Sequence, residues 1–78
     1  MTRFYFDITD GSGSGRDEEG LEYSNLEEAR IAALATLGEI ARDELPDGDR
    51  EDFSVSVRDE SGRVVLVATL SLRVERPV

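Results

Sequence analysis

Cysteine, histidine and lysine are all missing from this 78-residue chain. Without cysteine there is no disulfide and no thiolate zinc site. Without histidine the chain lacks the commonest general base, the commonest metal ligand and the side chain that titrates near neutral pH. Without lysine there is no Schiff-base nucleophile and no phosphate-loop lysine. Apolar runs are short as well, and none approaches the ~20 residues of a membrane helix. The start, MTRFYFDITD, has neither an apolar core nor a small-residue cleavage site, so it does not read as a signal peptide. Cytoplasm is the expected compartment.

What the chain has in excess is negative charge, a net −9 with every cation an arginine. Binding to nucleic acid releases counterions only where cations face phosphates, so direct nucleic-acid binding is not expected. An anionic membrane surface is not expected as a partner on the same ground. The length fits one small domain over residues 1–78. A chain of this size buries roughly 60% of the surface its unfolded form exposes. Its core then contributes about 3–5 kcal/mol net unless something braces it. With disulfides and metals gone, association with a second copy is the remaining common brace.

The periodicities give a β-β-α-β-β order. In RFYFDI, Phe4, Phe6 and Ile8 alternate with Arg3, Tyr5 and Asp7, the pattern of a half-buried strand. Leu21 and Tyr23 suggest a short second strand. SNLEEARIAALATLGEIARDEL reads as a helix, opened by a capping box at Ser24/Glu27 or Asn25/Glu28. Leu26, Ala29, Ala33, Leu37, Ile40 and Ala41 make its apolar stripe, with Leu34 and Leu45 at the edge. Gly38, costly within a helix, suggests that another backbone approaches there. Pro46 ends the helix. Phe53, Val55 and Val57 then alternate with polar residues, DESG supplies turn chemistry, and Val64, Leu66, Ala68, Leu70, Leu72 and Val74 form the apolar row of a long last strand. The expected fold is α+β, a two-layer sandwich of one antiparallel four-stranded sheet and a single helix. The helix is expected to cover the face carrying Phe4, Phe6, Leu66 and Leu70. The opposite face, with Tyr5, Val65 and Val67, is a candidate homodimer surface.

Two stretches invite a chemical reading. DGSGSGRDEEG, Asp10 to Gly20, spaces its glycines wrongly for a dinucleotide loop and has no Gly-Lys-Ser/Thr. Counted as a calcium loop from Asp10, position twelve is Leu21 where a bidentate glutamate belongs. It reads as the bend between the first two strands. RDELPDGDRED, Arg42 to Asp52, interleaves arginines with its carboxylates, which argues against a cation site. It reads first as a helix end, turn and strand start with Arg–carboxylate pairs on the surface, and its functional reading is a contact surface for a basic or arginine-rich partner. No cofactor is expected. Serine and threonine have no histidine or lysine to act as their base, and no carboxylate sits in an apolar hollow, so no enzyme is expected either. The candidate contact residues are therefore Asp43, Asp47, Asp49 and Arg50 in the acidic segment, with Tyr5, Val65 and Val67 on the open face.

RFYFDITDG, DEEG, LEEARIAAL, IARDELPDGDREDFSVSVRDESG and LSLRVE together resemble a family of short, uncharacterised alphaproteobacterial proteins that carry a domain of unknown function. ARDELPDGD and VRDESG are the most specific pieces. The resemblance implies a small intracellular stand-alone domain and transfers no catalytic residue. A looser resemblance, to HicB-type antitoxin domains, rests on the aromatic first strand, the acidic bend and LEEA. It implies a second role, an antitoxin-like or nucleic-acid-mimicking inhibitor of a basic nuclease. A small-ligand binder or an unrecognised enzyme is the third reading.

Overall fold

The computed structural model describes residues 1–10, 13–44 and 50–77, with the side chains of Arg50 and Glu51 outside that description. Six elements follow in order: β1 (Thr2–Asp10), β2 (Gly13–Gly15), β3 (Leu21–Tyr23), α1 (Leu26–Glu44), β4 (Arg50–Arg58) and β5 (Val64–Arg73). The class is the expected α+β, one helix on an antiparallel sheet. The sheet has five strands where four were expected, because Gly13–Gly15 is no open bend. It pairs with Ile8–Asp10 as a short strand. Glycine is a weak strand former, and it is the pairing of Gly13, Ser14 and Gly15 with Asp10, Thr9 and Ile8 that makes this segment a strand.

The order across the sheet is β2-β1-β4-β5, and β3 pairs with the other end of β1 through Thr2–Phe4. β2 and β3 thus share one side of β1, while β5 forms the opposite edge of the sheet.

Residues opposite one another on paired strands share a face. The register sets Phe6 against Val57, Ile8 against Val55, Val57 against Leu66, Val55 against Ala68 and Phe53 against Leu70. Phe53, Val55 and Val57 are fully buried, as the alternation predicts. Between Val57 and Arg58 the register slips by one, so Val64 takes the place opposite Arg58 that strict alternation gives to Val65. Val65 accordingly packs against the core, not on the open face where it was expected.

The helix meets the sheet through Ala29, Ala33, Leu37 and Ala41, all buried and four residues apart. Three small side chains in that row let the helix axis lie close over β4 and β5. The broader stripe expected from sequence is narrower in fact: Leu26 and Leu34 are exposed, and Ile31 faces solvent. Over β1 the covering is done by Tyr23, whose ring stacks on Phe6 at 5.8 Å and tilts against Phe4 at 6.3 Å. Leu70 lies on the helix side of the sheet yet stays 42% exposed, since it sits on the edge strand. Of the two capping boxes, Asn25 provides the cap: its Oδ1 accepts the Glu28 N–H at 2.9 Å, and Glu28 Oε2 reaches back to the Ser24 N–H. No helix among the described residues is long and apolar enough to cross a membrane.

Gly38 corrects an expectation. It is exposed, and a Cβ built there meets nothing within 4 Å, so no backbone approaches it. Gly38→Ala should therefore raise stability by about 0.5–1 kcal/mol, read as a higher urea midpoint with an unchanged slope. A lower midpoint would mean that this helix face carries a contact after all.

Candidate functional site

The densest polar cluster lies on the open side of the sheet, where the end of β4 meets the middle of β1 and two loops. β1 has paired neighbours at both ends of one edge, β3 at Thr2–Phe4 and β2 at Ile8–Asp10. The middle of that edge belongs to a side chain. Asp17 Oδ2 accepts the Phe6 N–H at 3.0 Å, and its Oδ1 accepts the N–H groups of Glu19 and Gly20, each at 3.0 Å. One carboxylate therefore stands in for a missing strand and closes its own loop. Gly20 turns that loop with φ +69°, and a Cβ there would come within 2.9 Å of Arg3 Cγ, the Phe4 carbonyl oxygen and Tyr5 Cε1. Only glycine fits.

Asp7, turned away from Phe6 and Ile8 as its alternation predicts, is the partner of Arg58. Arg58 Nε donates to Asp7 Oδ2 at 2.6 Å and Nη2 donates to Oδ1 at 3.1 Å, a two-pronged pair. The same Nη2 donates to the Asp17 carbonyl oxygen at 2.7 Å, and Asp7 Oδ1 also accepts the Asp17 N–H. The guanidinium carbon lies 4.9 Å from the centre of the Tyr5 ring. Arg58 is the one buried charged or polar residue among the described residues, and no buried side-chain nitrogen or oxygen there lacks a partner.

These contacts set the charge states. The Arg58 guanidinium holds the Asp7 carboxyl below the usual carboxylate range, and Asp7 in turn raises Arg58. Burial by itself would raise Asp17, but the N–H groups of Gly20, Phe6 and Glu19 outweigh it and leave the carboxyl below its ordinary value. Asp59 is lowered chiefly by the Ser61 hydroxyl, at 2.6 Å, and it also accepts the N–H groups of Ser61 and Arg63, which fixes the β4–β5 turn. Glu60, next in that turn, accepts the Arg3 N–H at 2.9 Å and ties the turn back to β1.

A cleft of about 390 Å³ opens over this cluster, lined by Tyr5, Arg16, Asp17, Arg58, Asp59 and Glu60 among others. Four of its groups are committed: Asp17, Asp59 and Glu60 accept backbone N–H groups, and Arg58 is held by Asp7. That arrangement holds two loops and two strands together, and the bonds to Asp17 and Asp59 favour the ionised form of those two carboxyls. Among the described residues no group of three acidic side chains is placed to hold a metal ion.

The residues singled out from sequence are scattered. Tyr5 lies half-buried under Arg58, Val67 is exposed on the open face, and Val65 belongs with the core. Asp43 is exposed on the last turns of the helix. Asp47 and Asp49 lie outside the described residues. Arg50 opens β4, opposite Arg73. Arg58 and Asp17 are the centre of the cluster, and neither is among those residues. The signal was there in the quoted motifs: DEEG contains Asp17, VRDESG contains Arg58, RFYFD contains Asp7, and the fold brings all three to one place.

The edges of the sheet differ. On the β1 side the strands are three residues long and Asp17 fills the gap between them. On the other side β5 runs for ten residues and pairs only with β4 among the described strands. No carboxylate occurs from Ser61 to Val74, where the only charges are Arg63 and Arg73. Val64 and Val67 are more than half exposed, and Leu70 nearly so. All 18 acidic residues lie elsewhere in the chain, among them Glu27, Glu28, Glu39 and Asp43, exposed on the helix.

A family model described as a domain of unknown function, DUF6894, matches residues 3–71. No curated protein and no solved structure matches the chain.

Proposed function

The chain belongs to the DUF6894 family of domains of unknown function, and from its own surface we propose that it is a noncatalytic protein-interaction module of the cytoplasm. The observation that carries this reading is the inequality of the two sheet edges. Proteins blunt an exposed edge with short strands, charges or bulges, because unpaired N–H and C=O groups recruit other strands. Here one edge is blunted and the other is a ten-residue strand without a charge between Val64 and Leu72. Such an edge takes up an extended segment by backbone pairing, with the alternate side chains supplying selectivity.

Charge divides the rest of the surface. The β5 edge is locally cationic, whereas the helix carries an acidic outer face that suits a basic protein. Steering of that partner should be fast at low salt and slow at high salt. The commitment of the cleft carboxylates to backbone groups supports a holding role for that cluster rather than a reacting one.

Amide exchange on the complex with a captured protein partner tests the reading. Protection should appear in Val64–Arg73 or along the outer helix face between Glu27 and Asp43. Protection confined to Tyr5, Arg16 and the Asp59–Arg63 turn would move the function to the cleft, as a ligand or substrate site.

A further inference from the structure

We infer that the segment laid along β5 is the β5 of a second copy, antiparallel, with Thr69 opposite Thr69 on the two-fold axis. The inference rests on the edge reading above and names its occupant.

Electrostatics select the place. Two copies with nine net negative charges each repel, and they meet most easily where neither carries a carboxylate. Ser61 to Val74 is such a stretch, fourteen residues long and wholly on the β5 side of the sheet.

Register selects the geometry. Opposite residues in an antiparallel pair share a face, so the two-fold must pass through a residue paired with itself. With Thr69 on the axis, Leu66 meets Leu72 and Ala68 meets Leu70 on the helix side, while Val67 meets Ser71 on the open side. Beyond the two ends of the ladder, Arg63 of one copy then comes near Glu75 of the other. Glu75 already holds Arg73 of its own chain at 3.4 Å, so each end would carry two arginines around one glutamate. Moving the axis to Ala68 sets Arg63 against Arg73, two cations face to face. Moving it to Leu70 shortens the paired stretch to seven residues, Val67 to Arg73. With Thr69 on the axis nine residues of β5, Val65 to Arg73, are paired, the helix-side pairs are apolar and no two cations face each other, Arg73 falling opposite Val65 at each end. That register also covers Leu70, the helix-side residue that the monomer leaves exposed. The product is one continuous sheet in which β5 meets β5 at the centre and both helices lie on the same side. The acidic helix faces stay free for another partner.

Thr69 is exposed and the chain has no cysteine, so substitutions there report on the interface with little effect on the fold. Sedimentation of the full chain should show a dimer at high concentration, strengthened or unchanged by added salt, because salt screens the repulsion between the copies. Thr69→Cys should form a disulfide-linked dimer on mild oxidation, which requires Cα atoms within about 7 Å. Thr69→Lys and Thr69→Glu should each weaken the dimer by roughly tenfold, since like charges would face each other. An equimolar mixture of the two should restore it. A wild-type monomer at every concentration overturns self-pairing. A dimer that Thr69→Cys fails to cross-link, and that Thr69→Lys leaves intact, overturns it too. Partner protection over Val64–Arg73 in a chain that stays monomeric would sink the second copy as occupant while sparing the edge reading, so the two failures are distinguishable.

Discussion

Phe53→Ala should leave the chain largely unfolded at 25 °C. Phe53 is fully buried at the centre of the one core, with Ala29, Ala33, Leu37, Val55 and Val57 around it. Truncating a buried phenylalanine removes its transfer free energy and leaves a cavity, a loss of about 3–5 kcal/mol. A single small core without disulfide or metal supplies only about 3–5 kcal/mol in total, so the loss is comparable with everything the domain has. The neighbours offer little relief. Three of the four helix residues buried against the sheet are alanines, and none can swing a longer side chain into the gap. Far-UV circular dichroism with a urea titration reads the result, with Val67→Ala as the control. Val67 is 58% exposed, and its truncation should change stability by about 0.5 kcal/mol or less. A cooperative Phe53→Ala transition with a loss under about 1 kcal/mol would show that the helix closes onto the sheet. The core would then be far more pliant than its packing suggests. Self-pairing would appear in the same titration, because the midpoint of a dimer rises with protein concentration.

How much of this was legible in the sequence depended on the range of the interaction involved. Phe53, Val55 and Val57 were visible because a strand repeats every two residues, and burial on one face writes that period directly. The cap at Asn25 was visible to within one residue, since both it and Ser24 stand three positions before a glutamate. The width of the helix stripe was not. Leu26, Leu34 and Ile31 are as apolar as Leu37, and which of them is buried depends on where the axis lies over β4 and β5. The slip between Val57 and Arg58 moved Val65 off the open face, and alternation has no means of announcing a one-residue slip. β2 was hidden for a different reason. Gly-Ser-Gly has almost no strand propensity, and only pairing with Ile8–Asp10 makes it a strand.

The cluster around Arg58 was the least legible part. Asp7 and Arg58 are 51 residues apart, and their meeting depends on the β1–β4 register, which a single sequence does not specify. Each alone looks like an ordinary solvated charge on the polar side of a strand. The motifs were the better guide, because DEEG and VRDESG are both turn segments dense in acceptors. Here those acceptors serve the chain's own backbone, and that is also why the cleft they line is a weaker candidate for chemistry than the bare β5 edge is for association.

Asp17→Ala should cost roughly 2–3 kcal/mol at pH 7, the next largest loss after the core substitution. Hydrogen bonds to an ionised acceptor contribute about 1.5–3 kcal/mol each when formed in a protected setting. Asp17 accepts three, from Phe6, Glu19 and Gly20, of which the Glu19 bond is exposed and counts least. Alanine leaves the Phe6 N–H of β1 with no strand and no carboxylate opposite it, and frees the loop that presents the Asp17 carbonyl to Arg58. The pH dependence follows from the same bonds. Asp17 and Asp7 both have folded-state pKa values depressed below the unfolded value of about 3.9. A carboxylate lowered in the folded state contributes stability that is fully present above the unfolded pKa and is lost as the pH falls through the folded one. Wild-type stability should therefore hold from neutral pH to about 4.5 and fall below about 4 as both groups take up protons. Asp17→Ala should fall less steeply over that window, so the gap between the two proteins narrows on acidification. Urea midpoints at pH 7, 5 and below 4 measure this directly. A gap that stays constant across the series would mean that the Asp17 carboxylate is not what holds the middle of β1. Its loop would then be anchored by Gly20 and by the bond from Arg58 to its carbonyl.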